Sequence, residues 1–385
     1  MKSDIRFLIV VFVIIAILTA STSTPAQADA QPASLWDKGA LSDRAPIAPN
    51  TSATNSRSAS VPQAVRQTSV HPRMAIKGSF FERYRNDYNR NNGGISSQGL
   101  VTFGAITGTY RLTPSLSAYV RLAGEGITQG GQGRDFNGAY YDGTHGYRGA
   151  LAFDQFGLTY DDSKTGIHVV AGRQGKSLDA TSTIYDQSWR VGSHIFLDGI
   201  SVSKNLGKWT AEIDAYSEDQ YVATAAGGTP ARNGIYAARG SYVVSPTLTA
   251  GATLARYTAS AASEAAGNKS VTSGEGDVIW KATNRLECRF EYGRSDADTR
   301  NELYFATAKY KLSKRDTAAA IAYKIGQFAD LGGGTAYPNN NRGTRYYVQH
   351  DFDNKTSIQL FHEADHEIYG PGSSGSDQVT ISVSF

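Results

Sequence analysis

The last nine residues, Asp377 to Phe385, read DQVTISVSF. Val379, Ile381, Val383 and Phe385 share one face of an extended strand, and Gln378, Thr380, Ser382 and Ser384 share the other. A period of two with one wholly apolar face marks a strand lying between an apolar phase and water. A soluble sandwich strand shows the same alternation, so this segment alone leaves sandwich and membrane barrel both open. The rhythm of the rest of the chain decides between them.

From Met74 onward that alternation recurs. Leu116, Ala118, Val120 and Leu122 alternate with Ser117, Tyr119, Arg121 and Ala123; Trp209, Ala211, Ile213 and Ala215 alternate with Lys208, Thr210, Glu212 and Asp214. Leu248 to Leu254 and Leu286 to Tyr292 follow suit, while 98–110 and 301–312 are mixed on both faces. Hairpin turns are expected at 111–115, 161–164, 205–208, 244–247, 283–285, 313–316 and 353–355, where Pro, Gly, Asn, Asp and Ser cluster. Between them fall longer polar or Gly-rich loops at about 86–97, 125–149, 173–194, 218–231, 258–273, 295–300, 328–342 and 366–375. Seven short turns alternating with eight long loops require sixteen strands, with both chain ends of the barrel on the short-turn side. A sandwich has no reason to place every long loop on one side, whereas bacterial outer-membrane barrels do so. The expected fold is all-β: a transmembrane antiparallel barrel with short periplasmic turns and long extracellular loops. Charges such as Glu212, Asp214, Glu287, Arg289 and Glu291 must then line a water-filled interior, because a mid-plane charge facing lipid costs on the order of 2–4 kcal/mol.

Composition sharpens this picture. Tyr (22) outnumbers Phe (15) and Gly reaches 40, which suits a polar-lined sheet with aromatic girdles, the role read for Tyr110, Tyr160, Tyr242, Tyr257, Tyr310 and Phe352. A net charge of +3 is too small over 385 residues to argue for nucleic acid. The single Cys288 excludes an internal disulfide and reads as a small apolar filler in phase with Leu286, Phe290 and Tyr292. Lys2 and Arg6, the apolar run Phe7 to Ala20 and Ala26-Gln27-Ala28 read as a cleaved export signal over 1–28. Residues 29–73 show neither period and read as a disordered periplasmic linker, with the barrel domain over 74–385.

With these features the chain resembles the general, non-specific porins of Gram-negative outer membranes, over residues 74 to 385. The resemblance rests on the sixteen-strand rhythm, the terminal ISVSF, and Val169-Val170-Ala171-Gly172-Arg173-Gln174 at the end of the fifth strand. The last is similar to the GRQ or GRN at which porin strand five ends and an inward-folded third loop begins. In one departure, the third loop here, Gln174 to His194, lacks the Pro-Glu-Phe-Gly-Gly type turn of many such porins. The resemblance implies that Arg173 stands on the pore wall opposite the third loop, which contributes Asp179 and Asp186. It also implies that the terminal Phe385 strand is read by the barrel-insertion machinery. Lumen phase independently offers Lys77, Arg83, Arg85 and Arg121. Cations facing loop acids create a transverse field that sets ion preference, and the excess of Arg and Lys in this set leans towards anions. Any one of these charges could equally be a solvated lumen or rim residue.

Two motifs point elsewhere on paper. His362-Glu363-Ala364-Asp365-His366 matches the zinc-protease H-E-x-x-H, which needs a helix to bring both His onto one face. Its surroundings alternate as a strand, where residues four apart are about 13 Å apart. Asp87, Asn89 and Asn91 begin like a calcium loop, but Asn92 and Gln98 stand where Gly and a bidentate Glu are needed. No nucleophile motif such as G-x-S-x-G accompanies the few His. No enzyme, cofactor or metal is therefore expected. The reading is a trimeric outer-membrane porin for passive diffusion of ions and small hydrophilic solutes, in contact with lipid and lipopolysaccharide. A substrate-selective porin for a sugar or anion, and a scaffold barrel around a periplasmic or surface partner, are the alternatives.

Overall fold

The structure, a computed structural model, describes residues 73–89, 95–127, 149–186, 196–224, 227–265, 268–331 and 336–385. The expected leader, and all but the last residue of the expected linker, lie outside these. The strands are β1 Met74–Asn89, β2 Ile95–Arg111, β3 Leu116–Ile127, β4 Gly149–Asp162, β5 Ile167–Gln174, β6 Phe196–Leu206, β7 Trp209–Thr224 and β8 Gly227–Ser245. They continue as β9 Leu248–Thr258, β10 Val271–Lys281, β11 Leu286–Ser295, β12 Glu302–Lys311, β13 Asp316–Ile325, β14 Asn341–Asp351, β15 Thr356–Glu367 and β16 Ser373–Ser384. One short helix, α1 Ala261–Ala265, lies between β9 and β10. Each strand pairs antiparallel with its sequence neighbours and β16 pairs with β1, so the sheet closes into a sixteen-stranded barrel.

Local chemistry explains why the seven turns are tight. In four of them a side-chain oxygen accepts backbone N–H groups two and three residues on: Thr113 from Ser115 and Leu116, Thr283 from Arg285 and Leu286, Ser313 from Arg315 and Asp316, Asp353 from Lys355 and Thr356. Such side chains take over the bonds that the ladder no longer supplies. The Lys355 and Thr356 N–H groups hold the Asp353 carboxyl below the ordinary aspartate range. Gly166 and Gly207 supply φ values of 70° and 69° at two further turns.

One long loop of the expected eight is absent. Around 218–231 the β7–β8 ladder continues from Asp219↔Arg232 to Thr224↔Gly227, so these strands project well beyond their neighbours. The stretch reads as loop because of Pro230 and its glycines, but a hairpin rising past the barrel rim tolerates both.

The outward rows are apolar, with Ile213 at 65% and Leu254 at 60% exposure, as transmembrane strands facing lipid require. Several inward rows are apolar as well. Leu303, Phe305, Tyr323 and Ile325 join Leu197, Tyr216, Ile235 and Tyr257 in a core inside the barrel. That explains the mixed faces of 301–312: their inner residues pack against chain that enters the lumen. On β2 the inner Phe103 and Ala105 pack with Phe81 and Ala123 in the same way.

The seam closes at the C-terminus. Phe385 N–H donates to Gly78 O and Gly78 N–H donates to Phe385 O, both at 3.0 Å, with the Phe385 ring lying over Gly78. A Cβ on Gly78 would fall inside that ring. Gly78→Ala is accordingly expected to cost about 1–3 kcal/mol through overpacking of the seam. A drop in the heat-modifiable folded band on a gel checks this, and an unchanged band would show that the ring has room to move aside.

Candidate functional site

The site is the barrel interior where the third loop enters it. Gly157, Gly172 and Gly199 are register neighbours on β4, β5 and β6. Gly172 has φ 128°, and a side chain there would collide with the Phe156 carbonyl. These three clear the wall for the chain that leaves β5 at Gln174. Tyr216 donates its hydroxyl to the Gln174 side chain at 3.3 Å, and Lys176 reaches Glu212 at 2.6 Å and Asp214 at 3.5 Å. An antiparallel bridge, Ser177↔Asp186, closes the loop's neck.

Beyond that neck the loop is a packed tongue. The Asp179 carboxylate accepts the N–H of Thr183 at 2.7 Å and its hydroxyl at 2.9 Å, with Ser182 at φ 62° between them. The Thr181 and Thr183 hydroxyls hydrogen-bond with the Glu291 carboxyl group on β11, and Arg289 donates to the Ala180 carbonyl at 3.3 Å. Tyr185 donates to Glu218 at 2.6 Å, which also accepts from Asn233 at 3.0 Å. Leu178, Ile184 and Tyr185 are fully buried, each worth about 1.5–3 kcal/mol relative to exposure.

The seventh loop joins the tongue, which the sequence did not announce. Leu331 N–H donates to Ile184 O at 3.1 Å and Ala336 N–H to Ser182 O at 2.8 Å. Its anchor is Arg345 on β14. That guanidinium donates to Ala336 O at 2.8 Å and to Glu363, and lies 4.2 Å from the Tyr337 ring centroid. The Tyr323 hydroxyl lies within hydrogen-bond reach of Glu363 and Asp365 from the other side. Burial pushes the Tyr337 phenol above its ordinary pKa. The two loops pack on the side of the lumen lined by β6–β13.

The predicted cations divide. Lys77, Arg83, Arg85 and Arg121 all fall on inward rows of β1 and β3. Arg83 donates to Thr380 at 3.0 Å over the Phe81 ring, and Arg85 pairs with Asp87. Asp87 is thus committed to Arg85, not to a calcium loop. Arg121 holds Asp154 through two parallel hydrogen bonds, a fork-on-carboxylate geometry that adds orientation to charge. Asp154 was missed because β4 is bulged opposite Arg121/Leu122. The bulge turns Asp154 inward and switches the outward row from Leu151 and Phe153 to Phe156, Leu158 and Tyr160. Arg121→Ala is expected to leave Asp154 an unpaired lumen acid and to shift reversal potential towards cations. An unshifted reversal potential would remove this pair from the ion path.

Arg173 needs correction. It pairs in register with Phe156 on β4 and Asp198 on β6, both on outward rows, so it stands on the outer surface and not on the pore wall. There it binds Asp198 at 2.7 Å and Asp219 at 3.6 Å, with the Phe196 ring centroid 4.4 Å away. The motif's chain position matched, but the strand's register turns its side chain outward. Asp179 and Asp186 do lie on the third loop, yet both are buried; Asp179 closes the tongue's own turn, and neither faces Arg173. The H-E-x-x-H residues lie along β15. His362 and His366 point outward and Glu363 and Asp365 inward, so the His pair cannot share one zinc with Glu363 beside it. Among the described residues no group of three or more His, Cys, Asp or Glu could hold a metal ion.

No protein-family model and no curated protein matches the sequence. Solved structures do match. Acinetobacter baumannii OccAB4 superposes with a TM-score of 0.50 at 13% identity, over 82% of this chain and 98% of that one. A mutant of Rh. blastica porin gives a TM-score of 0.49 at 10% identity, over 81% and 100%. The fold is porin-like. At these identities the likeness is one of architecture.

Proposed function

We propose that this chain is an outer-membrane porin, a passive channel for ions and small hydrophilic solutes. The observation that carries the reading is a closed barrel, apolar outside, whose third loop is pinned inside against β11 while arginine–carboxylate pairs line β1 and β3. Catalysis has no place in this mechanism: solutes exchange part of their hydration for the polar wall, and the tongue limits their size. The seventh loop narrows the lumen further, which favours a substrate-selective form over a wide general pore. Swelling of liposomes with a graded series of neutral sugars tests both points. Swelling that falls off with solute size supports a sieve, competition by one solute supports selectivity, and no swelling from a folded barrel contradicts the channel.

The same reading makes the protein a homotrimer that enters the membrane through its Phe385 strand. The Arg173–Asp198–Asp219 cluster supports a subunit contact on β5–β7, because a charged group at membrane height is costly against lipid. A solution mass of one chain in detergent would argue against that contact.

A further inference from the structure

On β5 to β8 the outward-facing charges are mixed in sign, Arg173 standing beside Asp198 and Arg232 opposite Asp219. Acids occupy the outward rows of β16, β1, β6 and β7: Asp377, Glu82, Asp198 and Asp219. From β9 to β14 the outward rows carry Arg256, Arg294, Lys324 and Arg342. Three of them stand eight residues along their strands from the short-turn end (248 to 256, 286 to 294, 316 to 324), and Arg342 stands nine from Asp351. At about 3.4 Å per residue and a tilt near 40°, that is roughly 20 Å above the short turns, close to the upper edge of an apolar band about 25 Å tall. The four therefore form a level belt at the long-loop edge of the lipid-facing surface, spaced by about 10 Å where one strand intervenes.

None of the four has an ion pair among the described residues. Arg256 donates only to Thr272 at 3.3 Å, and Lys324 lies 5.7 Å from the Tyr304 ring centroid. Arg256, Arg294 and Arg342 are exposed. The acids in the belt are Glu302, opposite Arg294, and Asp296, opposite Thr272 and so level with Arg256. The Glu302 carboxylate accepts the Tyr304 hydroxyl at 3.1 Å, and the Asp296 carboxylate accepts the Thr272 N–H at 2.9 Å. Four cations against two engaged carboxylates, at headgroup depth on a transmembrane wall, leave a net positive surface that suits an anionic group outside the protein.

We propose that this belt is a docking surface for the phosphate groups of an anionic outer-leaflet lipid. The occupant is a lipid because the belt caps an apolar wall: Leu254 below Arg256 and Val348 below Arg342 give acyl chains their contact while the cations take the phosphates. Arginine forks match phosphate oxygens two at a time, and each basic residue near an anionic membrane contributes about 1 kcal/mol. The proposal rests on the outer-membrane reading, and it assigns the β9–β14 sector to lipid, away from the Arg173 face.

The test compares the folded full-length protein in detergent with a variant carrying Arg256→Gln, Arg294→Gln, Lys324→Gln and Arg342→Gln. The probes are diphosphoryl lipid A, its dephosphorylated form and inorganic phosphate, read by native mass spectrometry. Wild type is expected to retain the diphosphoryl lipid at least tenfold more tightly than the Gln variant, and to retain the dephosphorylated lipid weakly. A variant with Arg→Lys at the three arginines is expected to recover most binding, which separates charge from folding. Equal retention by wild type and Gln variant would overturn the belt, and displacement of lipid by inorganic phosphate at equal affinity would assign it to a free anion instead. Channel conductance of the Gln variant is expected to match wild type. Loss of lipid binding with normal conductance thus supports the belt, whereas absent conductance in both proteins counts against the channel reading and leaves lipid retention to judge the belt.

Discussion

Arg345→Ala is expected to destabilise the protein by about 3–5 kcal/mol, the most of any single charge removal considered. Its guanidinium lies between Glu363, Tyr337, Tyr323 and Phe361 with 6% of the residue exposed. Removing it leaves Glu363 buried without its cation, and an uncompensated buried charge carries a penalty of that order. It also removes the donor that holds Ala336, so the seventh loop loses its tie to β14. Urea unfolding followed by tryptophan fluorescence reads the loss. A variant within about 0.5 kcal/mol of wild type would place Arg345 outside the set of residues that hold the interior together. Arg345→Lys is expected to recover only part of the loss, since an ammonium cannot donate to Glu363 and Ala336 in the same planar fork.

The second large effect is expected from Leu178→Ala combined with Ile184→Ala. Both side chains are fully buried in the core that joins the tongue to the barrel wall. Each truncation costs about 2–5 kcal/mol when a cavity remains, and the two are close enough that the sum is not additive. The sheet does not depend on the tongue, because every strand is closed by its neighbours. The cost should therefore fall on the seating of the third loop, loosening it more than tenfold. Sheet content by circular dichroism is expected to stay unchanged while single-channel current becomes larger and noisier. Quiet channels of wild-type conductance would show that the tongue is held by its polar ties to Glu291, Glu218 and the seventh loop without help from this apolar packing.

The architecture was legible in the sequence because one face of each strand must meet lipid. Ile381, Ile213 and Leu254 declare their side through a period of two, and turn residues such as Ser313 and Asp353 declare where the strands reverse. The interior was less legible for reasons that particular residues show. Leu303 and Phe305 look misplaced in a water-filled barrel until the seventh loop is found lying on them. Arg173 follows a recognisable motif, yet a register of one residue decides which side of the wall it occupies. Asp154 had a signal that was available, since the apolar phase of β4 changes from odd positions at Leu151 and Phe153 to even positions at Phe156 and Leu158. A phase change inside a strand marks a bulge, and a bulge marks a side chain that has been re-aimed.

Single-channel conductance of the refolded protein in a planar bilayer, with reversal potentials under a salt gradient, tests the channel itself most directly. Ohmic conductance inserting in threes, with a reversal potential that moves towards cations in Arg121→Ala, is the result the account predicts. A correctly folded barrel that passes no current would contradict it, and would leave the scaffold role as the reading of a lumen filled by its own loops.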